Sequence, residues 1–136
     1  MDNHQLSVKS YPLYKDSGIE WLGDVPEHWT ISHVKRFCKK ITDGAHTSPD
    51  LSSEDYPFLT VVNLNQGKLD FKNCLFTSCT DYERLVRNGC QPQKFDVLYS
   101  KDGTISETVV IDETRSFVVG SSFIIIRPHL RISDSR

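Results

Sequence analysis

The sequence predicts a single α+β domain that is β-dominant and has one or two short helices. Most apolar residues fall in short segments rich in β-branched and aromatic residues, which are typical of strands. Only one or two segments have the spacing of a helix. The chain has 136 residues, of which 38% are hydrophobic and 25% are charged. This is the size and composition of one globular domain.

Strands are predicted where a β-branched or aromatic run lies between turn-forming residues. The predicted strands are residues 57–62, 68–71 with 74–77 as its extension, 95–99, 108–111 and 117–127. Asp102 and Gly103 form a dipeptide that predicts a turn between the strands at 95–99 and 108–111. Gly120 predicts a bulge or bend inside the final strand, which ends at Pro128.

Residues 80–87 predict a short helix. Thr80 is positioned to cap its first turn, and Glu83 follows three residues later, as in a capping box. The apolar residues that share one face of this helix are Tyr82, Leu85 and Val86. Gly89 marks its end. Residues 30–41 also have helical spacing, although a strand followed by one helical turn fits them nearly as well.

The composition excludes several classes of protein. The chain has 16 Lys and Arg against 18 Asp and Glu, a net charge of -2 that argues against a polybasic nucleic-acid coat protein. No segment approaches the roughly 20 apolar residues of a membrane span. Residues 1–10 lack the apolar core of a signal peptide, so we expect a cytoplasmic protein without membrane contact. The four cysteines include no C-x-x-C pair, which favours reduced thiols and no metal site.

Basic and acidic residues are separated along the chain. Residues 35–40 contain four basic residues and no acidic one, whereas residues 41–56 contain four acidic residues and no basic one. This separation is expected if one surface meets a polyanion and another meets a partner protein. Ordinary solvated surface is the alternative interpretation.

The sequence contains no complete enzyme motif. It lacks a nucleophile elbow, a dinucleotide-binding glycine loop and a P-loop, so we expect no catalytic residues and no cofactor. Asp43 and His46 lie close together in a predicted turn and could form an acid-base or metal pair. A hydrogen-bonded turn is the alternative explanation. A small hydrolase that uses these two residues is therefore one functional hypothesis.

Four segments, in order, resemble the specificity subunits of type I restriction-modification systems. Residues 14–29, with two tryptophans in a fixed frame, resemble the opening segment of those subunits. Residues 41–49, 67–71 and 96–105 resemble recurring patches of that family's target recognition domain. The four matches extend over most of residues 14–127. Phe95 and Ser106 depart from the pattern, because many relatives have glycine at these places.

The resemblance implies a DNA-reading module without catalysis or a cofactor of its own. Specificity subunits carry two target recognition domains separated by long helices, and each domain reads one half of a split DNA site. They bridge methyltransferase subunits, which hold S-adenosylmethionine, and ATP-driven restriction subunits. By this comparison, residues 1–29 form an N-terminal arm and residues 30–136 form a partial recognition domain. The spacer helices and the second domain are then absent, and the incomplete sheet has an edge open to self-association.

The expected partners are double-stranded DNA, a methyltransferase subunit and, through the complex, a restriction subunit. The residues expected to contact phosphates are Lys35, Arg36, Lys39, Lys40 and Lys101. The residues expected to reach base edges are His46, Thr47, Ser48, Asn63, Asn65, Arg84, Arg87 and Thr104. Exposed surface without DNA contact is the alternative for each of them.

The aromatic motif of the arm is expected to serve in packing and subunit docking, because the resemblance implies that this motif recurs irrespective of the DNA sequence that is read. Its docking candidates are Trp21, Leu22 and Trp29. A purely structural brace is the alternative role for this motif. The alternative function is an interaction or decoy module that docks on the methyltransferase subunit and reads no DNA.

Overall fold

The protein has a β-dominant α+β fold with one α-helix among the described residues, as the sequence predicts. The computed structural model describes residues 10–103 and 107–129. The chain divides into two compact units, residues 1–33 and 34–136. The boundary lies a few residues after the predicted end of the arm at residue 29. No helix in the described ranges is long and apolar enough to cross a membrane.

The first unit contains an antiparallel hairpin. Its strands are β1 (Tyr14–Asp16) and β2 (Asp24–Pro26). The connecting loop is tied by backbone bonds, in which Leu22 and Gly23 both donate to the carbonyl of Ile19. Gly23 has a φ of 67°, a left-handed conformation that favours glycine at this turn.

The second unit is built on a four-stranded antiparallel sheet. Its strands are β3 (Cys38–Asp43), β8 (Val97–Ser100), β9 (Thr108–Val110) and β11 (Phe123–Pro128), in the order β3-β11-β8-β9. Alternation buries Leu98, Phe123 and Ile125 on one face of this sheet. Because β3 and β8 both run antiparallel to β11, they run parallel to each other. Their carboxyl ends therefore lie at the same end of the sheet.

The remaining strands form a second sheet and a separate hairpin. The second sheet has the order β10-β4-β7 and consists of β4 (Tyr56–Leu59), β7 (Leu75–Thr77) and β10 (Val118–Val119). The hairpin pairs β5 (Leu64–Asn65) with β6 (Lys68–Leu69). The strand predicted at 57–62 ends early, because Val61–Asn63 forms a 3₁₀ turn. The bend predicted at Gly120 is a full break that separates β10 from β11, which belong to different sheets.

Helix α1 (Cys79–Arg87) confirms the predicted helix but not its predicted cap. Ser78 is the N-cap, and its side chain accepts a hydrogen bond from the backbone N–H of Asp81. Thr80 lies inside the first turn. The predicted apolar face packs in a buried cluster with Phe58, Ala45, Cys90 and Val118.

Residues 34–43 contain a helical turn before a strand, the reverse of the order considered from the sequence. The 3₁₀ turn is Val34–Phe37, and β3 follows it directly. Pairing with β11 places Ile41 opposite Ile126 and Asp43 opposite Ile124. This ladder of backbone hydrogen bonds overrides the helical spacing of the side chains.

Candidate nucleic-acid interface

Two distant sequence segments meet where β3 and β8 end. Asp43 is the last residue of β3, and Lys101 directly follows β8. The shared direction of the two strands brings these residues to the same end of the sheet. A carboxylate oxygen of Asp43 lies 3.0 Å from the Lys101 ammonium nitrogen. The segments at 41–49 and 96–105, which carry two parts of the resemblance, are therefore joined by an ion pair.

Asp43 also binds the histidine of its own turn. Its second carboxylate oxygen lies 3.0 Å from Nε2 of His46. The hydrogen bond from Lys101 holds the pKa of Asp43 below its usual value, and His46 acts in the same direction. Asp43 is therefore ionised at neutral pH and accepts hydrogen bonds from both groups. The hydrogen-bonded turn considered from the sequence is present.

Gly44 fixes the backbone that carries His46. Its N–H donates to the carbonyl of Phe123, and the next N–H, of Ala45, donates to the carbonyl of Val119. A Cβ atom on Gly44 would lie only 2.0 Å from the carbonyl oxygen of Gly120. Only glycine permits this close approach of two backbones. The turn therefore presents its exposed residues from a rigid base, and these residues are His46, Thr47 and Ser48.

Three of the residues expected to reach base edges line one cleft of about 290 Å³. The predicted residues that line it are His46, Thr47 and Arg84. Nε of Arg84 lies 3.0 Å from a carboxylate oxygen of Asp81, which fixes the direction of this side chain. Asn88, at the C-cap of α1, also lines the cleft and was missed by the sequence analysis. The sequence feature that could have identified Asn88 is its position directly before the glycine that ends the helix.

The basic block at 35–40 does not act as one patch. Lys35 and Arg36 are exposed on the 3₁₀ turn, and Lys39 is exposed on β3. Lys40 points elsewhere, because its ammonium nitrogen lies 3.3 Å from the carbonyl oxygen of Gly89 at the end of α1. This contact satisfies the carbonyl of the residue that follows the C-cap of α1. Lys40 therefore has a structural contact within the protein, and its assignment as a phosphate contact stays a prediction.

The burial of Asn63 corrects its assignment as a base-edge contact. Its side chain is 4% exposed, its Oδ1 accepts from the backbone N–H of Thr60, and its Nδ2 donates to the carbonyl of Asn73. It closes a 3₁₀ turn and cannot reach a base edge from this position.

Other predicted site residues are dispersed. Asn65 is exposed on the β5-β6 hairpin, and Arg87 is exposed on α1, but neither lines the cleft that holds His46. Thr104 lies outside the described residues.

The docking candidates belong to the first unit. Trp21 is 83% exposed in the loop between β1 and β2, and Leu22 beside it is also exposed. Trp29 is partly covered by an edge contact with Tyr11. Trp21 is therefore the most accessible aromatic side chain of this motif.

Within residues 10–103 and 107–129, no group of three or more His, Cys, Asp or Glu side chains could hold a metal ion. Burial raises the pKa of the Cys90 thiol, so the cysteine in the cleft is uncharged at neutral pH. The chain matches no protein-family model, and no curated protein has a matching sequence.

Proposed function

We propose that this chain is a sequence-specific DNA-recognition module, a specificity subunit of a type I restriction-modification complex or a short form of one. In this role it directs methyltransferase and restriction subunits to a DNA half-site and carries no catalytic residue. The observation that supports the proposal is the meeting of Asp43, His46 and Lys101 at one end of the sheet. Two segments with a shared resemblance thereby contribute to one surface.

In this proposal, one set of residues provides affinity for DNA and another set reads its sequence. Lys35 and Arg36 supply exposed positive charge for phosphates, which contributes affinity without regard to sequence. His46, Thr47 and Arg84 supply donors and acceptors for base edges from one cleft. Asp81 accepts from Nε of Arg84, which leaves the two terminal amino groups for the paired acceptors of a guanine.

Charge reversal in the 3₁₀ turn Val34–Phe37 tests the phosphate contacts. The variant Lys35→Glu/Arg36→Glu is expected to weaken binding to a pool of random-sequence duplexes across all sequences. The slope of log affinity against log salt should fall by about 0.9 for each lost phosphate contact. Fluorescence anisotropy of the labelled pool at several salt concentrations measures both quantities. The control Lys68→Glu/Lys72→Glu makes the same charge change at two exposed lysines of β6 and the following loop. Equal effects of the two variants would contradict the proposed interface.

Replacing Arg84 by alanine tests base readout. Selection from the same duplex pool is expected to lose its preference at one base-pair position, a discrimination of about 1–3 kcal/mol. Arg87→Ala is the matched control, because Arg87 lies on the same helix and outside the cleft. An unchanged selected motif in Arg84→Ala would remove this residue from the readout.

The high exposure of Trp21 favours a second candidate, a module that docks on a methyltransferase subunit and reads no DNA. The Lys35→Glu/Arg36→Glu variant separates the two functions. Under the first, it loses DNA retention and keeps its binding to a purified methyltransferase subunit. Under the second, the unmodified chain binds that subunit and shows no salt-dependent affinity for DNA. Self-association through an edge of the four-stranded sheet stays a prediction.

A further inference from the structure

A second cleft lies at the other end of the four-stranded sheet, where β3 and β8 begin and β11 ends. Its volume is about 380 Å³. The residues that carry its charge and its aromatic surface are Lys39, Lys94, Phe95, Asp96, Arg127 and His129. Asp43, His46 and Lys101 lie at the opposite end of the same strands. This cleft takes no part in the readout proposed above.

Phe95 has a backbone conformation that its side chain disfavours. Its φ is 72°, in the left-handed region, where a bulky residue is strained. A hydrogen bond of Phe95 and the burial of the next residue hold this conformation. The N–H of Phe95 donates to the carbonyl of Ile111 at 2.6 Å, and the next residue, Asp96, is buried. Glycine would adopt this conformation without strain.

The ring of Phe95 gains little from packing. The residue is 50% exposed and belongs to neither buried cluster. A strained backbone is therefore combined with an aromatic side chain that lines an open cleft. Such strain at an exposed position is typical of functional sites, because folding stability does not account for the residue.

The cleft carries unpaired positive charge around this ring. Arg127 donates from Nε and Nη2 to the two carboxylate oxygens of Asp96, at 2.9 and 2.8 Å, so these charges cancel. Lys39 and Lys94 have no ion-pair partner among the described residues. The Lys94 ammonium nitrogen lies 5.3 Å from the centre of the Phe95 ring. The cleft thus offers two ammonium groups, an imidazole and an aromatic surface.

We propose that this cleft binds a nucleoside monophosphate group, with the base stacked on Phe95 and the phosphate between Lys39 and Lys94. A flat aromatic group with an attached anion matches the ring and the ammonium groups together. The volume falls within the roughly 300–1,000 Å³ of small-molecule sites. A free nucleotide and an unpaired nucleotide of a DNA strand have this same chemistry. The proposal goes beyond duplex recognition and does not depend on it.

The variant Phe95→Gly separates strain from binding. It is expected to raise the Tm of the full chain by roughly 4 °C, because glycine relieves the strained conformation. It should also weaken binding of deoxyadenosine monophosphate about tenfold, because the stacking surface is lost. Calorimetric titration and thermal unfolding measure the two effects. Phe95→Trp, which keeps an aromatic surface, should retain binding.

Gln66→Gly is the matched control for strain release. Gln66 also has a left-handed backbone, with a φ of 50°, and it lies in the β5-β6 turn outside this cleft. It should leave nucleotide affinity unchanged. Lys94→Gln should weaken binding of the monophosphate and leave the weaker binding of deoxyadenosine unchanged. This second variant tests the phosphate position without altering the strained backbone.

Two probes distinguish the source of the nucleotide, a single-stranded oligodeoxyadenylate and the monophosphate. Tighter binding of single-stranded oligodeoxyadenylate than of the monophosphate supports an unpaired DNA nucleotide. Binding of the monophosphate alone supports a free nucleotide. Absence of binding to both, or a Phe95→Gly variant with raised Tm and unchanged affinity, overturns the proposal. Failure of duplex readout alone would appear in Arg84→Ala, which lies outside this cleft and should keep full affinity for the monophosphate.

Discussion

Replacing Asp96 by alanine is expected to lower the free energy of unfolding by about 3–5 kcal/mol. Asp96 is 1% exposed and accepts two hydrogen bonds from Arg127 and one from the backbone N–H of Gln93. The pairing raises the pKa of Arg127, which stays protonated in the folded protein. Alanine leaves that guanidinium without its counter-ion beside the core and leaves an N–H unpaired. Urea unfolding followed by circular dichroism measures the loss.

A double-mutant cycle identifies the source of this loss. Arg127→Met alone also leaves one charge of the pair buried, so it should be strongly destabilising. The double variant Asp96→Ala/Arg127→Met removes both charges. Its loss should therefore be smaller than the sum of the two single losses by more than 1 kcal/mol. Additive losses would mean that the pair contributes through packing and not through charge.

Replacing Gly44 by alanine is expected to destabilise the second unit by about 3 kcal/mol or more. The added Cβ would lie 2.0 Å from the carbonyl oxygen of Gly120 and 2.7 Å from that of Val119. Both neighbours are backbone atoms, and the Ala45 N–H donates to Val119 across this contact. The clash can be relieved only by separating the two segments. Thermal unfolding of the full chain measures the effect.

Gly120→Ala is the matched control for that substitution. Its Cβ would meet the ring of Phe58 at 3.2 Å, and a ring can shift by the few tenths of an ångström required. We therefore expect a loss well below that of Gly44→Ala. Equal losses would show that the close backbone approach at Gly44 is not what requires glycine there.

The sequence predicted which helices and strands are present better than it predicted the residues at which they begin and end. Leu85 and its apolar neighbours identify α1, because burial of one helix face depends on spacing. The cap was wrong because Ser78 and Thr80 are both suitable caps, and spacing does not select between them. The chain breaks fully at Gly120 because β10 and β11 belong to different sheets. That assignment depends on tertiary structure and not on local sequence.

For the candidate site, the sequence suggested residue types and gave no arrangement. His46 and Arg84 were expected from their chemistry, but their common cleft depends on how α1 packs near the end of β3. The contact of Lys40 with the carbonyl of Gly89 was not predicted, because the two residues are remote in sequence. The strain at Phe95 was not predicted, although the departure from glycine in the resemblance marked the position.

The position of β11 has a kinetic consequence. This last described strand lies in the interior of the four-stranded sheet, between β3 and β8, and among the described residues β3 pairs with no other strand. Ile124 must therefore find Asp43 across most of the second unit before either is stable. Loop-closure entropy dominates such a search. During synthesis, β3 therefore stays without its strand partner until β11 has left the ribosome, so the four-stranded sheet of the second unit closes late.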